Sequence, residues 1–309
     1  MIDTFMMRFG RRPIRISLLI SLFLVLIGCS EHSQPTPPDD GELCYVQIDD
    51  NPAWSPDGQY IAYYHYGVTA ISDDNCEPLA IDYAKVGIWI MNADGSNPHL
   101  FVQGANFPAW SADSKWIYFV QYGTWKVKLN GDSLAQISIR ASNWYDVSPS
   151  NYLLAFQSNL GQSAGIWIAN LNFPDSLIHW NSAGGPQWHP SSDSIFWSHG
   201  TDGYWIEALD HSFKRKLHDK PPGTLVEAIN YCAATQMIVT AAEGYIYTFN
   251  INGNDFRGLP AENASRPVWS PDGQYIAYTG VSGGKLIAIW VMKSDGSERK
   301  QLTTFTALP

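Results

Sequence analysis

The sequence has little cysteine and little positive charge, it shows no helical periodicity of useful length after residue 28, and its one long apolar run ends after twelve residues. That run, Ile16 to Ile27, is too short to cross a bilayer as a helix. The four cysteines form no CxxC pair and no Cys/His spacing of the kind that holds zinc. With 19 basic residues against 29 acidic ones the chain carries a net charge of −10, so phosphate backbones are repelled and nucleic acid is not an expected partner. The absence of a 3.6-residue pattern leaves strands as the building material.

The first thirty residues are different in kind. A basic segment with Arg8, Arg11, Arg12 and Arg15 precedes the apolar run, as in a secretory leader. The "LIGC" that follows, Leu26 to Cys29, resembles the bacterial lipoprotein signal, in which the cysteine is lipidated and becomes the new N-terminus. The alternative is an ordinary signal peptide or N-terminal anchor with an incidental cysteine; Arg11 and Arg12 sit in surroundings that fit twin-arginine export poorly. The expected organisation is a leader over 1–28, a lipidated Cys29 and proline-rich tether over 29–42, and a folded domain over 43–309. Residues 30–42, "SEHSQPTPPDDGE", hold no large apolar group and can form no core. Loss of the leader removes four Arg and Asp3 and takes the net charge to −13, which also disfavours adhesion to anionic lipid. The expected location is the cell envelope, with lipid anchorage on the periplasmic side of the outer membrane or at the surface. The membrane is then met only through the N-terminal lipid.

Cys44, Cys76 and Cys232 remain, an odd number for an oxidising compartment. The segment that carries Cys76 is long enough to reach back, which leaves a Cys44–Cys76 disulfide open.

What the chain has in abundance is repetition. "WSPDGQYIAY" occurs at Trp54–Tyr63 and again, unchanged, at Trp269–Tyr278. Degenerate copies place Trp110, Val147, Trp188 and Tyr231 in the same position, at spacings of 56, 37, 41, 43 and 38 residues. Each copy reads as four short strands. The first ends at the Trp-Ser pair. "SPDG" then forms a tight turn, in which Pro56 presets φ, Asp57 bonds local backbone and Gly58 takes a positive φ. The second strand is the "QYIAYY" type, and the third, "GIWIMN", carries Trp89, Trp125, Trp167, Trp205 or Trp290, with Tyr247 in the remaining unit. Turns such as "ADGS" and "SDGS" lead to a fourth strand. Six such units, each too small to bury its own faces, predict an all-β fold: a six-bladed β-propeller of four-stranded antiparallel blades. "LCYVQIDDNPAW" mimics "HLFVQGANFPAW", so an N-terminal strand is expected to help close the ring, and "RKQLT" competes with it for the last edge.

These motifs resemble the TolB-type β-propeller repeat, whose marks are P-x-W-S-P-D-G, an I-A-[FY] strand, an I-[WY]-V-M strand and D-G-S. The resemblance runs from about Leu43 to Thr303, strongest in the first and sixth units and weakest in the fifth. It implies a propeller that binds proteins or ligands at one face. In TolB itself, a soluble periplasmic protein, the propeller is paired with an N-terminal α/β domain and binds a peptidoglycan-associated lipoprotein. Here a lipobox and tether stand where that domain would be.

The repeated residues read as structure: Asp57, Asp94 and Asp272 as turn formers, Trp54 and Trp89 as core. "GQSAG" at 161–165 matches G-x-S-x-G but lacks the following helix that a nucleophile elbow needs, so it reads as a loop. Function is expected where the repeat breaks. The first unit carries about 20 extra residues, Tyr66–Val86, between its second and third strands. His65 and His199 end second strands in blades one and four, opposite each other and too distant to share a metal shell, and they read as satisfied surface histidines. His65, Tyr66, Asp73, Asp74, Tyr122 and His199 form the candidate ligand or partner surface. No catalytic residue, metal or cofactor is assigned. The leading reading is a monomeric, membrane-tethered module that binds an envelope protein or glycan; the alternative is a metal-assisted polysaccharide lyase or hydrolase on the same scaffold.

Overall fold

The computed structural model describes residues 46–71, 78–138, 144–158, 164–181, 184–199, 202–220, 226–261, 263–282 and 286–305, all within one compact unit, Glu42–Pro309. The leader, Cys29, the tether, Cys44, Asp73, Asp74, Cys76 and most of "GQSAG" lie outside the described residues. Among the described residues no helix is long and apolar enough to cross a membrane.

Six antiparallel sheets follow one another along the chain, and each is one blade. Blade one is Asp49–Trp54, Tyr60–His65, Gly87–Asn92 and His99–Gln103. Blade two is Asn106–Trp110, Trp116–Val120, Thr124–Lys128 and Ala135–Ser138. Blade three starts at Tyr145–Val147, blade four at Gly184–Trp188, blade five at Val226–Cys232 and blade six at Ser265–Trp269. The first strands contact one another in sequence and the sixth returns to the first, so they form the closed inner wall of a ring.

The two-residue side-chain period explains the packing. In the third strand of blade one, Ile88 and Ile90 face blade two, where they meet Trp110, Ile117 and Phe119. Met91 points the other way, onto Ala277 and Ile289 of blade six. Similar clusters fill the remaining four junctions. Stacking thus removes from water the apolar surface that a lone four-stranded sheet would expose. The six third-strand aromatics hold one register, each opposite the same position of its second strand, from Tyr63↔Trp89 to Tyr278↔Trp290.

The turn chemistry expected of "SPDG" is present. Gly58 and Gly273 take φ of +72° and +70°, and Ser55 Oγ donates to Asp57 Oδ1 at 2.6 Å while Gln59 N–H donates to the same oxygen at 3.1 Å. Asp272 repeats this with Ser270 and Gln274, and Asp94 accepts from Ser96 N–H, so these carboxylates are turn formers. Ser114, Asn151 and Ser192 occupy the glycine position with positive φ. Each of their side chains accepts a hydrogen bond from the preceding blade, from the backbone N–H of Asp57, Ala112 and Ser150 respectively. The residue that departs from glycine therefore ties one blade to the next.

The first and the last described strands share one edge. The long third strand of blade six, Leu286–Lys293, pairs in parallel with Val46–Gln47 at its start and antiparallel with Lys300–Gln301 further along. The two candidates for the closing strand do not exclude each other, because each occupies a different stretch. Val46 and Ile48 are buried with Val68, and Tyr66, Ile71, Leu286 and Phe305 pack around them.

Candidate functional site

In blades one, two, four, five and six the innermost strand carries a one-residue bulge a few positions before the marker residue, as between Asp50 and Ala53 against Tyr64 and Ala62. In four of them the residue in the bulge, Asn51, Phe107, Gly185 or Arg266, has φ between +51° and +58°. A proline follows each of these four: Pro52, Pro108, Pro186 and Pro267. Proline has no N–H to give a ladder, and a bulge on an edge strand removes the need for one. Holding Asn, Phe and Arg in the left-handed region costs about 1 kcal/mol each. That cost aims side chains that differ from blade to blade at one end of the inner wall.

Two of these side chains, Arg266 and Phe107, meet there and are joined by Trp144, which precedes the unbulged inner strand of blade three. The Arg266 guanidinium lies 5.1 Å from the ring centre of Trp144 and 5.9 Å from that of Phe107, residues of or adjoining the inner strands of blades three and two. Its Nε is 3.1 Å from Oδ1 of Asp50, in blade one. Asp50 is only 2% exposed, so its charge is held by a dense set of donors: Asn51 N–H at 2.8 Å, Thr279 Oγ1 at 3.0 Å and Asn51 Nδ2 at 3.1 Å. Tyr145 donates from its hydroxyl to the Phe107 carbonyl at 2.5 Å and fixes the backbone behind that ring. Beside Asp50, Tyr64 and Tyr66 form an edge-on pair with centroids 4.5 Å apart. Burial, and then the Asp50 charge, push both phenols up, so they remain neutral donors at any physiological pH. The mouth thus holds a cation against two aromatic faces and a buried carboxylate, an arrangement that can serve binding.

His65 sits at the same end, where its strand pairs in register with Asp49. It donates from Nδ1 to the buried Asp49 carboxylate at 2.7 Å, and its ring tilts over Trp89 at 5.1 Å. His65 is a satisfied histidine, partly exposed. Tyr66 is half-buried in the seam cluster, and Tyr122 is 98% exposed in the turn between the second and third strands of blade two. The backbone of His199 pairs with Gly203 at the end of the corresponding strand in blade four. Of the expected surface, His65 and Tyr66 adjoin the mouth through Asp49 and Tyr64, and Tyr122 belongs to the outer part of the face. Asp50, Phe107, Trp144, Thr279 and Arg266 were not singled out from sequence. The available signal was the position three before the marker, which reads Asn51, Phe107, Trp144, Gly185, Ala228 and Arg266 while the next position is proline in four of the six units.

Among the described residues no three His, Cys, Asp or Glu side chains come together as a metal site. The described part of the inserted segment holds two short antiparallel strands, Val68–Ile71 and Pro78–Ile81, on the same face.

No protein-family model matches the chain. A stretch of 64 residues is 39% identical to the Tol-Pal system protein TolB of Anaeromyxobacter dehalogenans, covering 20% of this chain and 14% of that one. Among solved structures, TolB from Acinetobacter baumannii is similar with a TM-score of 0.63 at 17% identity, over 78% of this chain and 63% of that one. The putative TolB from Agrobacterium tumefaciens gives 0.55 at 15% identity, over 76% and 91%. An oligogalacturonate lyase from Vibrio parahaemolyticus gives 0.52 at 11% identity, over 84% and 78%. The chain thus spans less than two thirds of the first of these structures and a small part of the curated relative. At such identities the shared property is the fold, and the chain is a six-bladed β-propeller similar to that of TolB.

Proposed function

We propose that this protein is a lipid-anchored propeller of the cell envelope that binds an envelope protein or glycan at the mouth built around Arg266. In this reading residues 1–28 are a leader, Cys29 carries the lipid, 29–42 are a tether and the propeller is a monomer. The observation that carries it is the convergence of Asp50, Phe107, Trp144 and Arg266 at one end of the inner wall. Asp50, Phe107 and Arg266 stand where the repeat is bulged, Trp144 stands at the same place in the unbulged blade three, and the blade-one insertion elaborates the same face. The likeness to TolB supports an envelope setting and a protein partner, and the "LIGC" sequence supports the anchor. His65, Tyr66, Asp73, Asp74, Tyr122 and His199 extend the binding face around the mouth.

Crosslinking on intact cells, followed by purification from membranes, tests the reading. A specific partner should be recovered with the wild-type chain and lost with Arg266→Glu and with Trp144→Ala, while both variants remain folded by circular dichroism. Equal recovery with both variants would remove the mouth from the binding site.

A second reading, a metal-assisted polysaccharide lyase or hydrolase, has one observation in its favour. Oligogalacturonate lyases, one of them solved in complex with manganese, share the fold. The described residues supply no three-ligand cluster, so no metal step follows from them. Metal analysis of the purified chain separates the readings: stoichiometric metal that disappears on replacing His199 favours the enzyme.

A further inference from the structure

We propose that the outer side of the inserted hairpin docks on the surface of the bilayer that anchors the chain, an inference that rests on the lipid-anchor reading above. The strand Pro78–Ile81 is exposed along its whole length. Leu79 is 67% exposed, Ile81 37% and Tyr83, just beyond, 75%. Tyr122, 98% exposed, stands in the turn between the second and third strands of the neighbouring blade two. Gln103 donates from Nε2 to the Tyr83 carbonyl at 3.3 Å, and Gln121, the neighbour of Tyr122, donates to the Gln103 carbonyl at 3.1 Å. An aliphatic strand flanked by two tyrosines is the composition that settles at the boundary between headgroups and acyl chains.

The position of the tether selects lipid as the occupant. Val46, the first described residue, is buried against Val68 and packs near Ile71, both in the partner strand of this hairpin. The chain therefore enters the propeller beside the patch. The 17 residue steps from Cys29 to Val46 reach roughly 55 Å when fully extended and average roughly 23 Å as a coil. An anchored chain holds the hairpin within that distance of the membrane, so a contact too weak to act alone becomes effective.

Charge sets the kind of lipid. With the leader removed the chain carries −13, and an anionic surface repels it. At the hairpin itself Lys85 Nζ lies 3.7 Å from Asp82 Oδ2, which cancels the nearest described charges. Contact is then apolar, made with zwitterionic lipid, and salt does not release it. The patch lies on blades one and two only and includes neither Arg266 nor Trp144.

The test uses the chain purified from membranes and reconstituted in vesicles of phosphatidylcholine and phosphatidylethanolamine, with hydrogen exchange as the readout. Amides of 79–84 and 121–124 should exchange at least about fivefold more slowly in the wild type than in Leu79→Ser/Tyr83→Ser. The turn Asp272–Gln274, on the other face, should exchange equally in both. Equal exchange at 79–84 in chains that remain on the vesicles overturns the docking, leaves the anchor standing and frees the patch for a protein partner. Cys29→Ala should move the chain out of the membrane fraction. If the wild type is itself found unanchored, the anchor reading fails, and exchange of that chain mixed with the same vesicles decides the docking: slowing at 79–84 supports it and no slowing overturns it.

Discussion

Arg266 Nε lies 3.1 Å from Asp50 Oδ1, an ion pair that joins the last blade to the first across the point where the ring closes. The two residues are 216 positions apart in sequence, and each belongs to the innermost strand of its blade. The pair helps to close the ring and forms the polar centre of the mouth.

Removing the guanidinium leaves the Asp50 carboxylate buried with only neutral donors. Arg266→Ala should cost about 2 kcal/mol, less than a fully buried pair because the arginine keeps some solvent contact. The unfolding midpoint should then fall by roughly 4–8 °C. Asp50→Asn should cost less, since an amide can still accept from Thr279. Thermal denaturation of the two variants checks the order.

Asp146 gives a pH dependence of unusual sign. It accepts from Trp188 N–H at 2.7 Å, and burial pushes its carboxyl up to about 7 despite that bond. The folded pKa is above the unfolded one, so the associated stability is complete below about pH 4 and is lost as pH rises through 7. The loss should be about 2 kcal/mol, reduced from the full shift because the side chain is only partly covered. Gln187 and Asn230 make the equivalent bonds to Tyr231 and Trp269 with neutral amides. Asp146→Asn should therefore flatten the curve between pH 4 and 8 and stabilise the protein at pH 8, as urea titrations at several pH values would show.

Blade four breaks the repeat twice, and the two breaks meet. Glu207 occupies the third-strand position held by Met91, Val127, Ala169, Phe249 and Met292 in the other blades. His211 occupies the turn position of Gly95, with φ of +60°, and donates from Nδ1 to Glu207 at 2.7 Å. His211→Gly relieves the backbone but strips a buried carboxylate of its hydrogen bond, so it should destabilise by about 1–2 kcal/mol. Glu207→Met/His211→Gly should equal or exceed the wild type. A double-mutant cycle by chemical denaturation would return a coupling above about 1 kcal/mol.

The turn stitches can be measured in the same way. Ser114 holds φ of +57° and accepts from Asp57 N–H at 3.0 Å. Ser114→Ala keeps the strain and loses the bond, whereas Ser114→Gly loses the bond and relieves the strain. Alanine should be the worse by about 1 kcal/mol, and Asn151→Ala should behave alike.

The blade plan was legible because it is local. A strand's two-residue period, the Pro-Asp-Gly turn and a tryptophan at fixed register are decided within ten residues, and their recurrence sets the ring. The mouth was not legible for the opposite reason. Phe107, Trp144 and Arg266 look unremarkable one at a time, and only closure of the ring brings blades two, three and six to a common axis. The expected surface was chosen from the ends of second strands and from the blade-one insertion, and so passed over the bulged first strands.

By itself the sequence determined the six repeats, the strands that recur in them and the carboxylates that build their turns. Tertiary structure alone decided what depends on residues far apart. It gave the edge of Leu286–Lys293 to both the first and the last described strand, since one long strand has room for two short ones. It turned Ser114, Asn151 and Ser192 from imperfect glycines into inter-blade acceptors, because each meets the neighbouring backbone only when the blades are stacked. It also made Asp50 and Arg266 a pair, because the first and last blades are neighbours only in a closed ring.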